Sequence, residues 1–388
     1  MNIIETDKQY IANTYARFPL QLKSGKGAVM YDEDGKKYID LGTGIAVTTF
    51  GIADEEWAAA VTAQVNALQH TSNLYYSEPC AQLAKMLCEK TGMNKVFFSN
   101  SGAEANECAI KAARRWAFTK YGDENHSTII TLKNSFHGRT ITTLVATGQD
   151  VFHKEFGPFT PGFVYADVDE NADSVRKLAE ENDCCAIMFE IVQGEGGVMP
   201  LPVSFIEGLK KVAEEKDLLL VIDEVQTGNG RTGKLYSYMH FGLEPDIVST
   251  AKGLAGGLPL GATMLGEKVQ DVLTPSSHGS TFGGNPVACA GAISIFSRLT
   301  DELLAEVTAK SAYIVSALQG AKGVKSISGM GLMLGIETEK PVAEVLSSCR
   351  EKGVLPISAK TKLRLLPPLN IGWDELKEAI EIIKEVLA

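Results

Sequence analysis

Along residues 174–222 the apolar positions change their period in a regular way. Residues 174–182 carry them at helical spacing, 184–189 are apolar without a break, 205–216 return to an amphipathic helix, and 218–222 are again continuously apolar. This is a βαβ unit. Strands apolar on both faces belong in a parallel sheet covered by helices above and below, the setting of a doubly wound α/β domain. Upstream, 95–99 reads as a strand that passes through Asn100-Ser101-Gly102 into a helix over 103–118, and 128–132 reads as a further strand. Beyond Ala290 the pattern turns to helices over 291–299 and 302–320, short strands around 331–337 and 363–365, and a last helix over 373–387. The expected division is a large domain over 52–288 and a smaller α+β domain from 289–388 together with 1–51.

Composition narrows the class. A chain of 388 residues exceeds what one core usually organises, which agrees with two domains. With 45% hydrophobic and 22% charged residues and 37 glycines scattered rather than periodic, disordered and collagen-like readings fail. A net charge of −11 disfavours nucleic acid, since a phosphate backbone calls for a basic face. The cysteines number seven and show no C-x-x-C spacing, which disfavours a disulfide framework and a zinc site, so no metal is expected. Glu5, Asp7, Lys8 and Arg17 interrupt the first twenty residues, leaving no signal-peptide core, and no window approaches a membrane span. The expected address is cytoplasmic, without a membrane.

Gly228-Asn229-Gly230-Arg231-Thr232-Gly233 fits G-x-G-x-x-G and, with Lys234, nearly fits a phosphate-binding P-loop. Leu235 cannot supply the hydroxyl that would follow the lysine, and no strongly periodic helix opens at these glycines. A structural glycine-rich turn is expected instead.

Three other features carry chemistry. The strand over 218–222 delivers Asp223 and Glu224 at its carboxyl end, where open α/β sheets bind ligands. A carboxylate there is costly without a cationic partner, and a pyridinium nitrogen would serve; alone, Asp223 reads equally well as a turn cap. Residues 246–251 form a short apolar strand ending in Lys252-Gly253-Leu254-Ala255-Gly256-Gly257. A lysine so placed is either solvated or a desolvated, nucleophilic amine. Ser99-Asn100-Ser101-Gly102-Ala103-Glu104-Ala105 is a small-residue turn opening a helix, suited to a plain N-cap or to holding a phosphate on free amides.

In order along the chain, Ser101-Gly102-Ala103-Glu104-Ala105, Phe136-His137-Gly138-Arg139-Thr140, Glu190-Ile191-Val192-Gln193-Gly194-Glu195-Gly196, Asp223-Glu224-Val225-Gln226-Thr227-Gly228, Lys252-Gly253 and Ser280-Thr281-Phe282-Gly283-Gly284-Asn285-Pro286 resemble the class III pyridoxal 5′-phosphate (PLP) aminotransferases. The resemblance spans nearly the whole chain. Within the class it is greatest to the acetylornithine aminotransferases, through Ser135 to Thr140 and His278 to Pro286.

The resemblance implies the fold type I PLP-dependent transferase fold, with a large domain on a mostly parallel seven-stranded sheet and a smaller α+β domain formed by both termini. It implies Lys252 holding PLP as a Schiff base and Asp223 gripping the ring nitrogen, both catalytic. Ser101, Gly102, Ala103, Phe136, Glu224, Val225 and Gln226 would surround the cofactor, Phe136 and Val225 on the two ring faces and Gln226 at the ring hydroxyl. Thr281 would reach the phosphate from the partner of a homodimer. Arg139, Glu195, Ser280 and Arg364 would meet substrate, with Glu195 pairing with Arg364 to switch it off while an ω-amine reacts.

The chain departs from the class at Phe50-Gly51-Ile52-Ala53-Asp54, where a Gly-His-x-His-Pro turn is usual, and at Ile45, where ornithine enzymes tend to carry tyrosine. An apolar residue there suits an uncharged N-acetyl group. The implied reaction is transamination of N-acetylornithine with 2-oxoglutarate, giving N-acetylglutamate 5-semialdehyde and glutamate, with Lys252 carrying the proton. Ornithine, 4-aminobutyrate, N-succinylornithine or N-succinyldiaminopimelate as donor, an aminomutase, and a non-catalytic binding protein stay open.

Overall fold

A computed structural model of the chain describes residues 2–388. Its central sheet has seven strands in the order Lys95–Ser99, Gly261–Leu265, Ile247–Thr250, Leu219–Asp223, Cys184–Phe189, Thr128–Leu132 and Phe163–Ala166. Gly261–Leu265 runs antiparallel to both neighbours and the other pairings are parallel, so the sheet is mostly parallel as expected.

Side-chain alternation explains why these strands read as unbroken apolar runs. Leu219 and Val221 enter one core with Ala109, Ile110 and Ala113 of the helix Gly102–Tyr121. Leu220 and Ile222 enter the other with Phe205 and Leu209 of the helix Val203–Lys216. Both faces are covered, and each large apolar side chain so buried contributes about 1.5–3 kcal/mol.

The chain ends build the smaller unit together. Leu22–Lys26, Val29–Asp32 and Lys37–Asp40 form an antiparallel meander, and Val354–Leu355 from the far end of the chain joins it parallel to Lys37–Asp40. A second sheet, Val324–Met330, Met333–Thr338, Lys362–Leu365 and Ile357–Ala359, is antiparallel throughout. The helices Asp301–Leu318, Val342–Glu351 and Trp373–Leu387 complete it.

Two expectations need correction. The helix expected over 291–299 is Pro286–Ser297, because Asn285 Oδ1 accepts from the amides of Val287 (3.0 Å) and Ala288 (3.3 Å) and Pro286 pre-sets the first turn. This helix spans the expected boundary at 288 and packs on Glu55–Ala67 and Glu78–Thr91. The strand expected over 331–337 is the second arm of a hairpin whose first arm, Val324–Met330, the hydrophobic pattern does not mark; Gly331 (φ +56°) belongs to the turn. Among the described residues no helix is long and apolar enough to cross a membrane.

Candidate active site

The strand Leu219–Asp223 ends on Asp223, which is 3% exposed. Its Oδ1 accepts from the Val225 amide at 2.9 Å, while Oδ2 meets Asn106 Nδ2 at 2.7 Å and His137 Nδ1 at 2.8 Å. A buried carboxylate survives only with such partners. His137 Nε2 is buried and has no partner.

Next in the sheet, Ile247–Thr250 leads into Lys252, whose φ is +47°. Burial pushes the Lys252 ammonium below its ordinary range and Arg364 adds to this, against the opposing carboxylates of Glu195, Asp223 and Glu190. A lysine so shifted has more free amine at neutral pH, as a nucleophile requires.

The helix Gly102–Tyr121 begins beside this pair. Ser101 Oγ accepts from the Glu104 amide at 3.2 Å, and Glu104 Oε2 accepts from the Asn100 amide at 2.6 Å. The amides of Gly102 and Ala103 lie in the first turn, where no intrahelical acceptor exists. A Cβ on Gly102 would lie 2.6 Å from Val225 Cγ1, so glycine is required for this approach.

Gly102, Ala103, Phe136, Asp223, Val225 and Lys252 line one cavity of about 220 Å³. Its chemistry fits PLP: free helix-start amides for a phosphate, a buried carboxylate for a basic ring nitrogen, apolar groups for ring faces and a desolvated amine for a carbonyl. Phe136 packs edge-to-face on Phe152 (5.7 Å, 76°), and the Arg139 guanidinium stands 4.2 Å from the Phe152 ring centre at the exposed rim.

Arg364, from the strand Lys362–Leu365, is 2% exposed. Its Nη1 donates to Glu195 Oε1 at 2.6 Å and to Gln226 Oε1 at 3.0 Å, while Gln226 Nε2 donates to Glu195 Oε1 at 3.3 Å. Burial pushes the Glu195 carboxyl up, but the Arg364 charge and hydrogen bond, with Lys252 behind them, hold it below the usual range. Gln226 lines the cavity, yet its carboxamide is bonded to this pair.

Other expected residues lie elsewhere. The Glu224 carboxylate does not line the cavity; it accepts from Ser237 Oγ (2.6 Å), the Tyr238 amide (2.9 Å) and Thr227 Oγ1 (2.6 Å) in the core beneath. Ser101 caps its helix. Ser280 Oγ accepts from Asn100 Nδ2 (3.1 Å) and the Gly283 amide (2.9 Å), and Thr281 is exposed; neither lines the cavity within one chain. Ile45, at φ +67° and 43% exposed, borders a different hollow of about 450 Å³ with Phe18 and Arg350. The turn 228–233 is structural: buried Arg231 donates to the carbonyls of Leu332 and Pro367, joining it to the smaller unit.

Asn106, His137 and Glu190 had no role assigned from sequence. Asn106 stands four residues after Gly102, hence on the same helix face, which was a readable signal. Burial pushes the Glu190 carboxyl up to about 7 with Asp223 adding to it, against His137 and the amides of Phe136 (2.9 Å) and Gly194 (3.1 Å).

Sheet topology, lysine, carboxylate and helix start together define a PLP-dependent enzyme of the aminotransferase kind. The chain belongs to the class III aminotransferases, whose family profile matches residues 10–387. The class is PLP-dependent and works on an amino donor and a keto acid. The chain is 50% identical over 388 residues to the acetylornithine aminotransferase of Haemophilus ducreyi, covering 100% of this chain and 98% of that relative. It is 43% identical to that of Caldanaerobacter subterraneus subsp. tengcongensis, covering 100% and 99%. Among solved structures it resembles the ornithine aminotransferase of Toxoplasma gondii (TM-score 0.94, 32% identity, 99% of this chain and 94% of that one). The N-acetylornithine aminotransferase of Stenotrophomonas maltophilia gives 0.84 at 33% identity, covering 99% and 98%.

Proposed function

We propose that this enzyme transfers the ω-amino group of N-acetylornithine to 2-oxoglutarate, giving N-acetylglutamate 5-semialdehyde and glutamate. The carrying observation is the engaged Arg364–Glu195 pair, tied through Gln226 to the cavity of Lys252. One site must accept two amines whose carboxylates lie at different distances from the reacting nitrogen. Arg139 at the rim suits the far carboxylate of the acylated donor. Arg364 is neutralised by Glu195 while that donor is bound, and is released to grip the α-carboxylate of glutamate or 2-oxoglutarate.

PLP, when bound, supplies an electron sink for the bonds at the substrate carbon. Lys252 would hold it covalently, Asp223 would pair with its ring nitrogen, Gly102 and Ala103 would take its phosphate beside the Ser101 cap, and Phe136, Val225 and Gln226 would surround its ring. Freed from that link, the Lys252 amine would be the base that moves the proton at the substrate carbon. Thr281 and Ser280 serve the site of a second copy, which makes the working form a homodimer. We place the enzyme in the cytoplasm, which its unpaired cysteines suit.

The test is glutamate formation from 2-oxoglutarate with a panel of N-acetylornithine, N-succinylornithine, ornithine and 4-aminobutyrate. kcat/KM is expected to be highest for N-acetylornithine, by about tenfold or more over ornithine. Equal or better use of ornithine would support the second reading, ornithine as donor, which the backbone match to the Toxoplasma gondii enzyme favours. Absence of glutamate would point to an aminomutase or a binding protein.

A further inference from the structure

Lys252 stands on backbone that a lysine adopts reluctantly, since φ of +47° is the left-handed region, where a Cβ crowds the peptide. Such a conformation persists only where its surroundings impose it. Side chains from three separate segments take alternate carbonyls of this turn. Asn229 Nδ2 donates to the Ala251 carbonyl at 3.1 Å and to Thr250 Oγ1 at 3.0 Å. Thr49 Oγ1 donates to the Gly253 carbonyl at 2.7 Å, and Trp57 Nε1 to the Ala255 carbonyl at 2.9 Å.

Each donor is itself fixed. Asn229 and Thr49 are buried, and the Thr49 carbonyl accepts from the Leu369 amide at 2.9 Å. The Trp57 amide donates to Asp54 Oδ1 at 2.9 Å, and Asp54 also receives both arms of Arg298 at 2.7 and 3.0 Å. Arg298 in turn covers the Phe50 ring at 4.3 Å, so the unusual segment 50–54 is the footing of Trp57. The indole has room because glycines face it: a Cβ would approach Trp57 Nε1 to 3.1 Å from Gly256 and 2.9 Å from Gly291.

We propose that Asn229, Thr49 and Trp57 clamp the backbone of Lys252 and so aim its amine, which makes them positioning residues for the reaction. This rests on Lys252 being the residue that holds the cofactor. The clamp bonds neither Arg139 nor Arg364, so loosening it acts on the chemical step rather than on substrate binding.

In the PLP-loaded full-length enzyme, Thr49→Val deletes the hydroxyl at constant shape, Thr49→Ser retains a donor, and Trp57→Phe deletes the indole N–H. Thr49→Val and Trp57→Phe are expected to lower kcat about tenfold with both KM values within about twofold, while Thr49→Ser stays within about twofold of wild type throughout. A second readout is the rate at which cofactor-stripped enzyme recaptures PLP into a borohydride-trappable link, expected to fall about tenfold in the same two variants. Should Thr49→Val fail to fold, Trp57→Phe decides alone. Wild-type kcat and capture rate in Trp57→Phe, or a loss carried by KM, overturn the clamp while leaving Lys252 in place. Trapping on a lysine other than Lys252 in the unmodified enzyme overturns the underlying site reading, and the clamp with it.

Discussion

Arg364 Nη1 donates to both Glu195 at 2.6 Å and Gln226 at 3.0 Å in a place almost closed to water, while its buried Nε has no partner. A guanidinium held this way is unavailable to substrate until Glu195 lets go, so the affinity for 2-oxoglutarate contains the work of parting the pair. Glu195→Gln keeps the shape and removes the charge. KM for 2-oxoglutarate is expected to fall about fivefold to tenfold, about 1 kcal/mol of released pairing, with KM for N-acetylornithine rising, since the free cation now attracts the wrong carboxylate. Steady-state kinetics on both half-reactions checks this. The pair also has a pH signature. The folded-state Glu195 carboxyl lies below its ordinary 4.5, so the stability it contributes is present above pH 4.5 and is lost as pH falls through the lower folded value. Thermal melts between pH 6 and pH 3 should therefore show a shallower acid-side decline in Glu195→Gln than in wild type. Asp223 makes a different kind of demand. Asp223→Asn retains an acceptor for the Val225 amide but no negative charge and sets its Nδ2 against Asn106 Nδ2, so kcat is expected to fall about a hundredfold or more with Tm lowered but the fold retained. Near-normal turnover would remove Asp223 from the chemistry.

At the scale of elements, the helix Gly102–Tyr121 is held to the cavity by the absence of a single carbon. Gly102→Ala would push Val225 from its seat 2.6 Å away, tilting both the helix start and the group expected to cover a ring face. PLP affinity, followed by fluorescence titration of stripped enzyme, should weaken about tenfold, equivalent to about 1.4 kcal/mol, while the fold persists. Elements of this kind were legible in the sequence wherever burial dictated composition: Lys95–Ser99, Thr128–Leu132, Cys184–Phe189 and Trp373–Leu387 fall where the hydrophobic pattern sets them. Val324–Met330 was not legible, because its Val-Lys-Ser-Ile-Ser-Gly-Met is half-exposed and carries no strong period. At the site, adjacency misled the reading of Glu224. Consecutive residues leaving a strand point opposite ways, so Asp223 faces the cavity and its neighbour enters the core. His137 and Glu190 acquire their surroundings from segments far apart in sequence, which no local pattern encodes.

At the scale of the whole molecule, the proposed reach of Thr281 into the site of a second copy makes a prediction of its own. Thr281 is exposed and does not line the Lys252 cavity of its own chain, although its loop is firmly held: Asn73 Nδ2 donates to the carbonyls of Ser280 (3.1 Å) and Gly283 (2.9 Å). Around it Phe282 is 60% exposed, Leu74 86% and Tyr75 71%, an apolar display that an isolated chain rarely keeps. A second copy related by a twofold axis would cover it and receive Thr281 at its cofactor site. Mixing two defective enzymes separates this from an intrachain role. Lys252→Ala cannot hold PLP covalently, and Thr281→Ala lacks the phosphate contact. If Thr281 crosses the interface, a mixed dimer concentrates both defects in one site and leaves the other wholly native. Random re-pairing of equal amounts makes about half the dimers mixed, so activity should recover to about one quarter of wild type, with native PLP affinity in that fraction. If Thr281 serves its own chain, every site in every dimer carries one defect or the other, and mixing restores nothing.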